Sequence, residues 1–140
     1  FNPAPFNDVA AKISLSKLYC IIPNETECSG YVGSENYKAF SDFIRNNHPD
    51  LKAVITLGKD GCVYVDKDNE ITQPAYSVEA VDTTAAGDTF VGYFVAEISR
   101  GKEPCDTIKT ACAASAITVS RKGAAPSIPR YDEVTAFLSE

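Results

Sequence analysis

The chain lacks several things that would commit it to an obvious class. It has no apolar run of about eighteen residues, so nothing in it reads as a membrane-spanning helix, and no secretory leader is visible. Basic residues are outnumbered, 13 against 19, for a net charge of -6. That balance argues against nucleic acid or an anionic membrane as the main partner. There is one histidine, His48, in Asn46-Asn47-His48-Pro49-Asp50, where it reads as a solvated helix end. The five cysteines (Cys20, Cys28, Cys62, Cys105, Cys112) are odd in number and form no CxxC pair. This argues against a disulfide framework and a zinc site and suits reduced thiols in a cytoplasmic protein. Cys20, Cys62 and Cys112 lie among apolar or small residues and read as buried. Repeats, low-complexity stretches and linkers are absent too.

What remains is an ordinary single-domain length of 140 residues, 44% of them hydrophobic, enough for a buried core. Lys17 to Ile22 and Lys52 to Leu57 are apolar runs closed by Pro23 and Gly58 and read as buried strands. Pro23 to Glu27 follows the first as a polar loop or first helical turn. Ser34 can cap a helix carrying Tyr37, Phe40, Phe43 and Ile44 on one face. Cys62 to Asp66 and Glu70 to Gln73 flank Lys67-Asp68-Asn69, the signal of a β-hairpin. Tyr76 to Val81 reads as extended. Helices are expected over Gly87 to Ser99, with Phe90, Phe94, Val95 and Ile98 inward, over the alanine-rich Asp106 to Ser120, and over Asp132 to Leu138. A weak helical stretch lies at Ala10 to Ile13. Strands alternating with helices indicate an α/β domain with a largely parallel sheet flanked by helices and one hairpin. Ligands collect beyond the carboxyl ends of such strands, where the loops from Pro23, Gly58 and Asp82 begin.

The most informative segment is Asp82-Thr83-Thr84-Ala85-Ala86-Gly87-Asp88-Thr89-Phe90. Small residues let a backbone approach a ligand closely. The first amides of a helix have no internal partner and form a ready anion site. Amides around Ala86, Gly87 and Asp88 can therefore face a transferring phosphoryl group. A helix N-terminus also favours a negatively charged side chain, so Asp88 can accept the proton of an attacking hydroxyl. The plain alternative is a helix start with an acid in its first turn.

Val81 to Ala96 (VDTTAAGDTFVGYFVA) resembles the C-terminal signature of the ribokinase-like sugar and nucleoside kinases. Four further blocks occur in the same order as in that family: Asn2-Pro3-Ala4-Pro5, Pro23 to Glu27, Ile55 to Gly58 with Gly61, and Arg121 to Ser127. The first and last favour its ribokinase branch. The resemblance implies a ribokinase-like fold and an ATP-dependent transfer to a sugar's primary hydroxyl, D-ribose first among the acceptors. Fructokinase, adenosine kinase and ketodeoxygluconate kinase are the related alternatives.

Roles follow residue by residue from the resemblance. Asp88 is the catalytic base and contacts the sugar; Ala86 and Gly87 line the anion hole. Asn24 and Glu27 organise hydrated Mg²⁺ near the phosphates, although their spacing alone equally suits a helix cap with its capping box. Thr56, Leu57, Gly58, Lys59, Asp60 and Gly61 receive the nucleotide together with Asn24, Gly87 and Cys112. Asp82, Thr84, Thr118, Arg121, Gly123 and Ser127 hold K⁺, mostly through carbonyls, with Asp82 and Ser127 offering side chains; two loops tied by ordinary hydrogen bonds are the alternative. The chain departs from the family pattern at Cys112 and Val91. Family members are about twice as long. The implied identity of residues 1–140 is thus the C-terminal nucleotide-binding and catalytic part, a partial domain without the sugar-binding half and lid, homodimeric in full-length form. A nucleotide-binding module without catalysis is the competing reading.

Overall fold

The computed structural model describes residues 1–139. The chain divides into two compact units, Phe1–Thr72 and Gln73–Glu140, each described by itself. The first unit carries helices α1 (Asp8–Ala11), α2 (Glu25–Val32) and α3 (Tyr37–Asn47) and strands β1 (Cys20–Ile21), β2 (Lys52–Thr56) and β3 (Cys62–Val65). Strand β4 (Glu70–Gln73) reaches its boundary. The sheet runs in the order β1-β2-β3-β4. β1 and β2 are parallel, Cys20 opposite Lys52, whereas β2 and β3 are antiparallel, Ala53 opposite Val65 and Thr56 opposite Cys62. The sheet of the described residues is therefore mixed, its parallel part confined to β1 and β2 beside the expected hairpin.

That hairpin is built by Asp66. Its Oδ1 accepts from the amides of Asp68 (2.9 Å) and Asn69 (2.7 Å), and its Oδ2 from the Tyr64 hydroxyl at 3.0 Å. Partial burial works against the charge on Asp66, but these donors outweigh it and hold the carboxyl below its usual range. Arg45 on α3 clamps the same turn, donating to the Asp66 and Asn69 carbonyls and pairing with Glu70 at 2.9 Å. The core beneath consists of Leu15, Ile21, Cys28, Phe40, Ile44, Leu51, Ala53, Ile55, Val63 and Val65. Burial pushes the Cys20 and Cys28 thiols up to about 12, so neither ionises at neutral pH. Cys62 and Cys112 are buried as expected, and Cys105 is exposed.

Two local expectations change. Pro23 to Glu27 leads into a complete helix, α2, which ends at Gly33 with φ 70° and a bond from its amide to the Ser29 carbonyl. α3 is capped by Asn36, whose Oδ1 accepts from the Lys38 amide at 3.0 Å, and not by Ser34, which instead accepts from the Asn36 amide. An Asn two residues nearer the helix makes the better cap.

The second unit holds α4 (Ala86–Ser99), α5 (Pro104–Val119) and α6 (Tyr131–Phe137). α4 and α5 pack closely, and Ala111 and Ala114, beside Ser115 and Thr118 on α5, are fully buried. α4 turns Thr89, Phe90, Phe94 and Glu97 inward. Val95, expected inside, is 55% exposed, while Glu97 is 1% exposed. The 90-94-97 spacing sets the buried stripe, and Val95 lies about 100° around the helix from Phe94. Glu97 is accommodated by Arg100 at 2.5 Å and by the Tyr131 hydroxyl at 3.5 Å. Tyr76 to Val81 forms no strand among the described residues; the Val81 and Asp82 amides donate instead to the Val119 carbonyl. No helix among the described residues is long and apolar enough to cross a membrane.

Candidate active site

The first turn of α4 is the centre of the second unit's candidate site. Ala85 occupies the cap position and offers no side-chain bond. The Ala86 amide turns back to the Thr83 carbonyl at 3.2 Å, and the Thr89 amide donates to the Ala85 carbonyl at 2.9 Å. The amides of Gly87 and Asp88 lie between those two bonds. They, rather than the Ala86 amide, are placed as outward donors. Gly87 and Asp88 are exposed, and nothing lies within 4 Å of where a Gly87 Cβ would be. Asp88 also stands on the wall of a groove of about 320 Å³ shared with Gly92, Tyr93, Arg100, Ile128 and Tyr131.

Behind this turn, Asp82 ties two loops. Its Oδ1 accepts from the amide (2.9 Å) and hydroxyl (2.5 Å) of Thr84, and its Oδ2 from the Gly123 amide at 3.0 Å, 41 residues away. The Thr84 hydroxyl, the Thr84 amide and the Gly123 amide hold the Asp82 carboxyl below its usual range. Its hydrogen bonds are accepted by the ionised form. The tie is therefore complete above the ordinary carboxylate range near pH ~3.9 and is lost as pH falls through the lowered value. An NMR titration of the Gly123 amide should show its midpoint below that ordinary value; a midpoint at or above it sinks the expectation.

The other residues expected at a cation are also engaged. The Ser127 hydroxyl donates to the Ala124 carbonyl at 2.6 Å, the Thr118 carbonyl accepts from the Arg121 amide at 3.1 Å, and the Arg121 side chain pairs with Glu133 at 2.7 Å. Three of about four acceptor positions on Asp82 are taken. The Ser127 side chain is committed to its own loop. A cation here would rest chiefly on carbonyls, and the loops are already tied by their own hydrogen bonds.

In the first unit, Asn24 and Glu27 form a complete capping box. The Glu27 amide donates to Asn24 Oδ1 at 2.8 Å, and the Asn24 amide to Glu27 Oε2 at 3.0 Å. Glu27 is buried and Asn24 exposed. No cluster of three or more His, Cys, Asp or Glu suited to a metal occurs among the described residues. One carboxylate and one amide suit a Mg²⁺ that keeps most of its waters and arrives with phosphates. Asn24 also bridges Thr56 in parallel fashion, which joins the cap to the loop after β2. That loop closes on itself: Leu57 donates to the Gly61 carbonyl at 2.8 Å, and Gly61 to the Gly58 carbonyl at 3.3 Å. Gly58 (φ 55°) and Gly61 (φ 101°) are glycines because the turn requires positive φ. Gly61 is buried with its amide inside the loop, so it shapes the turn and is not an outward donor; Gly58, Lys59 and Asp60 are exposed. Cys112 is 7% exposed on the packed side of α5.

Sequence reasoning missed Glu97 and Ser115. The Glu97 to Arg100 spacing of three was the available signal for the first. Ser115 had none, being one small residue among alanines.

The family model described as "pfkB family carbohydrate kinase" matches residues 2–130. The chain is 38% identical over 141 residues to ribokinase from Staphylococcus aureus, covering 95% of this chain and 45% of that protein. It is 38% identical over 99 residues to probable fructokinase-2 from Arabidopsis thaliana, covering 65% of this chain and 30% of that one. Among solved structures, ribokinase from Thermotoga maritima superposes with a TM-score of 0.85 at 36% identity, over 100% of this chain and 48% of that one. Arabidopsis thaliana ribokinase complexed with ribose and ATP gives 0.82 at 30% identity, over 90% and 42%. The chain thus spans less than half the length of these relatives, and it belongs to the pfkB family of carbohydrate kinases.

Proposed function

We propose that this chain supplies the nucleotide and catalytic side of an ATP-dependent sugar kinase, with the primary hydroxyl of D-ribose as acceptor. The observation that carries the reading is the first turn of α4, where two amides before the first internal helix bond sit beside one exposed carboxylate. In this reading Asp88 takes the hydroxyl proton, the sugar oxygen bonds to the γ-phosphorus, and the bond to the bridging oxygen breaks to release ADP. The Gly87 and Asp88 amides oppose the charge on the transferring group. Asn24, Thr56 and the loop through Asp60 face the nucleotide. When bound through waters by Asn24 and Glu27, Mg²⁺ supplies charge neutralisation. A K⁺ held by carbonyls of the Asp82 and Gly123 loops would stiffen the anion site from behind. A homodimer and a cytoplasmic location belong to the same reading.

Ribose is favoured by the ribokinases among the relatives, and fructose is the competing acceptor because a probable fructokinase also matches. A panel of ribose, fructose, adenosine and ketodeoxygluconate should give its highest kcat/KM with ribose. A higher value for fructose overturns the acceptor while leaving the kinase reading intact. Because the chain covers 45% of the Staphylococcus aureus relative, a nucleotide-binding role without turnover is the second reading. Ribose-dependent ADP release by the 140-residue chain itself separates the two.

A further inference from the structure

We propose that Ser115 and Thr118 of α5 are positioning residues that set the first turn of α4, and with it the direction of Gly87 and Asp88. The catalytic consequence rests on the function proposed above. Most helix starts are held by a Ser, Thr, Asp or Asn at the cap. Here the cap is Ala85, which makes no side-chain bond, and Gly87 adds backbone freedom within the turn. The restraint comes instead from the neighbouring helix. The Ser115 hydroxyl donates to the Ala86 carbonyl at 3.1 Å. One turn on, the Thr118 and Thr89 hydroxyls lie 3.2 Å apart in a fully enclosed hydrogen bond. The single Thr118 hydroxyl proton goes to the Ala114 carbonyl at 3.0 Å, which fixes its rotamer and leaves its oxygen to accept from the Thr89 hydroxyl.

Ser115 and Thr118 are three apart on α5, as Ala86 and Thr89 are on α4, so the two bonds are rungs that hold both ends of one turn of α4. Side chains this short reach across only because Ala111 and Ala114 let the helices approach. Asp88 and Gly87 lie within the span of chain between the two rungs. Rotation of that turn about the helix axis, the motion that would swing the Asp88 carboxylate aside, stretches both.

The test is amide hydrogen exchange on the 140-residue chain, which needs no turnover. Ser115→Ala, and Ser115→Ala combined with Thr118→Val, should accelerate exchange at the Ala86 and Thr89 amides, the bonded ones in the first turn of α4. The single change should do so about fivefold, the factor one net hydrogen bond is worth. Exchange in the last turn of α4 and in Phe1–Thr72 should be unchanged, and Thr118→Ser should restore the parent rate relative to Thr118→Val. Unaltered exchange at the first turn overturns the proposal, as does equal acceleration across α4, α5 and α6, which marks general loosening. In a turnover-competent form, kcat should fall several-fold with KM for ATP unchanged; faster exchange with intact kcat overturns the positioning role. Absence of turnover in the parent would count against the kinase reading and leave the exchange result to decide this one.

Discussion

Asp88→Asn is expected to lower sugar-dependent ATP turnover about a thousandfold while leaving nucleotide affinity within a factor of a few. A positioned general base contributes roughly 10²–10⁴ in rate, and the amide is nearly isosteric but has no lone pair suited to taking the proton. Little else should change. Asp88 is exposed, so its replacement opens no cavity. Loss of a negative charge from a helix N-terminus costs about 0.3–1 kcal/mol. The measurement is kcat in a turnover-competent form of the protein, with ATP binding by calorimetry as the control. Retained turnover ends the assignment of the base. Lost ATP binding in step with lost turnover shifts Asp88 from proton acceptor to nucleotide contact.

Phe40→Ala should destabilise the first unit by about 3–5 kcal/mol, the range for removing a buried aromatic side chain. Phe40 is 0% exposed and lies between Tyr31 on α2 and Phe43 on its own helix, ring centroids 5.7 and 6.0 Å away. Small domains hold about 5–15 kcal/mol in total, so the loss is a large fraction of the whole. The denaturant midpoint, followed by tyrosine fluorescence and by exchange in β2, should fall accordingly. A shift worth less than about 1 kcal/mol would mean that the site collapses around the missing ring. Since Tyr31 belongs to the helix that starts at Asn24, the same variant should speed exchange at the Glu27 amide.

What could be read from residues alone follows the strength of each local signal. The apolar run through Ile55, the Asp66 to Asn69 turn and the Gly-Asp start of α4 each carry period, punctuation and composition that agree. The family blocks then pointed to a candidate site. Where the reading fell short, tertiary contact decided. α2 was legible only as a first turn because its composition is polar, and the packing of Cys28 and Tyr31 on the core completes it. Val95 and Glu97 traded places because an apolar count cannot see that Arg100 and the Tyr131 hydroxyl make a buried carboxylate tolerable. Ala86 and Gly61 were expected to aim amides outward, and both are spent closing turns, a matter of φ and ψ that composition does not reveal. Asp82 and Ser127 show the same limit: a motif names the oxygens but not the neighbours already drawing on them.

The bridge between Asn24 and Thr56 has a mechanical meaning. Two stretches of chain more than thirty residues apart share one hinge pin, so neither can swing without dragging the other. The rim formed by Gly58 to Asp60 and the start of α2 are thus anchored at one point, where the Thr56 amide also donates to the Pro23 carbonyl at 2.9 Å. Farther along α2 the chain is pinned again at Gly30, where the Phe6 ring already fills the space a methyl would need.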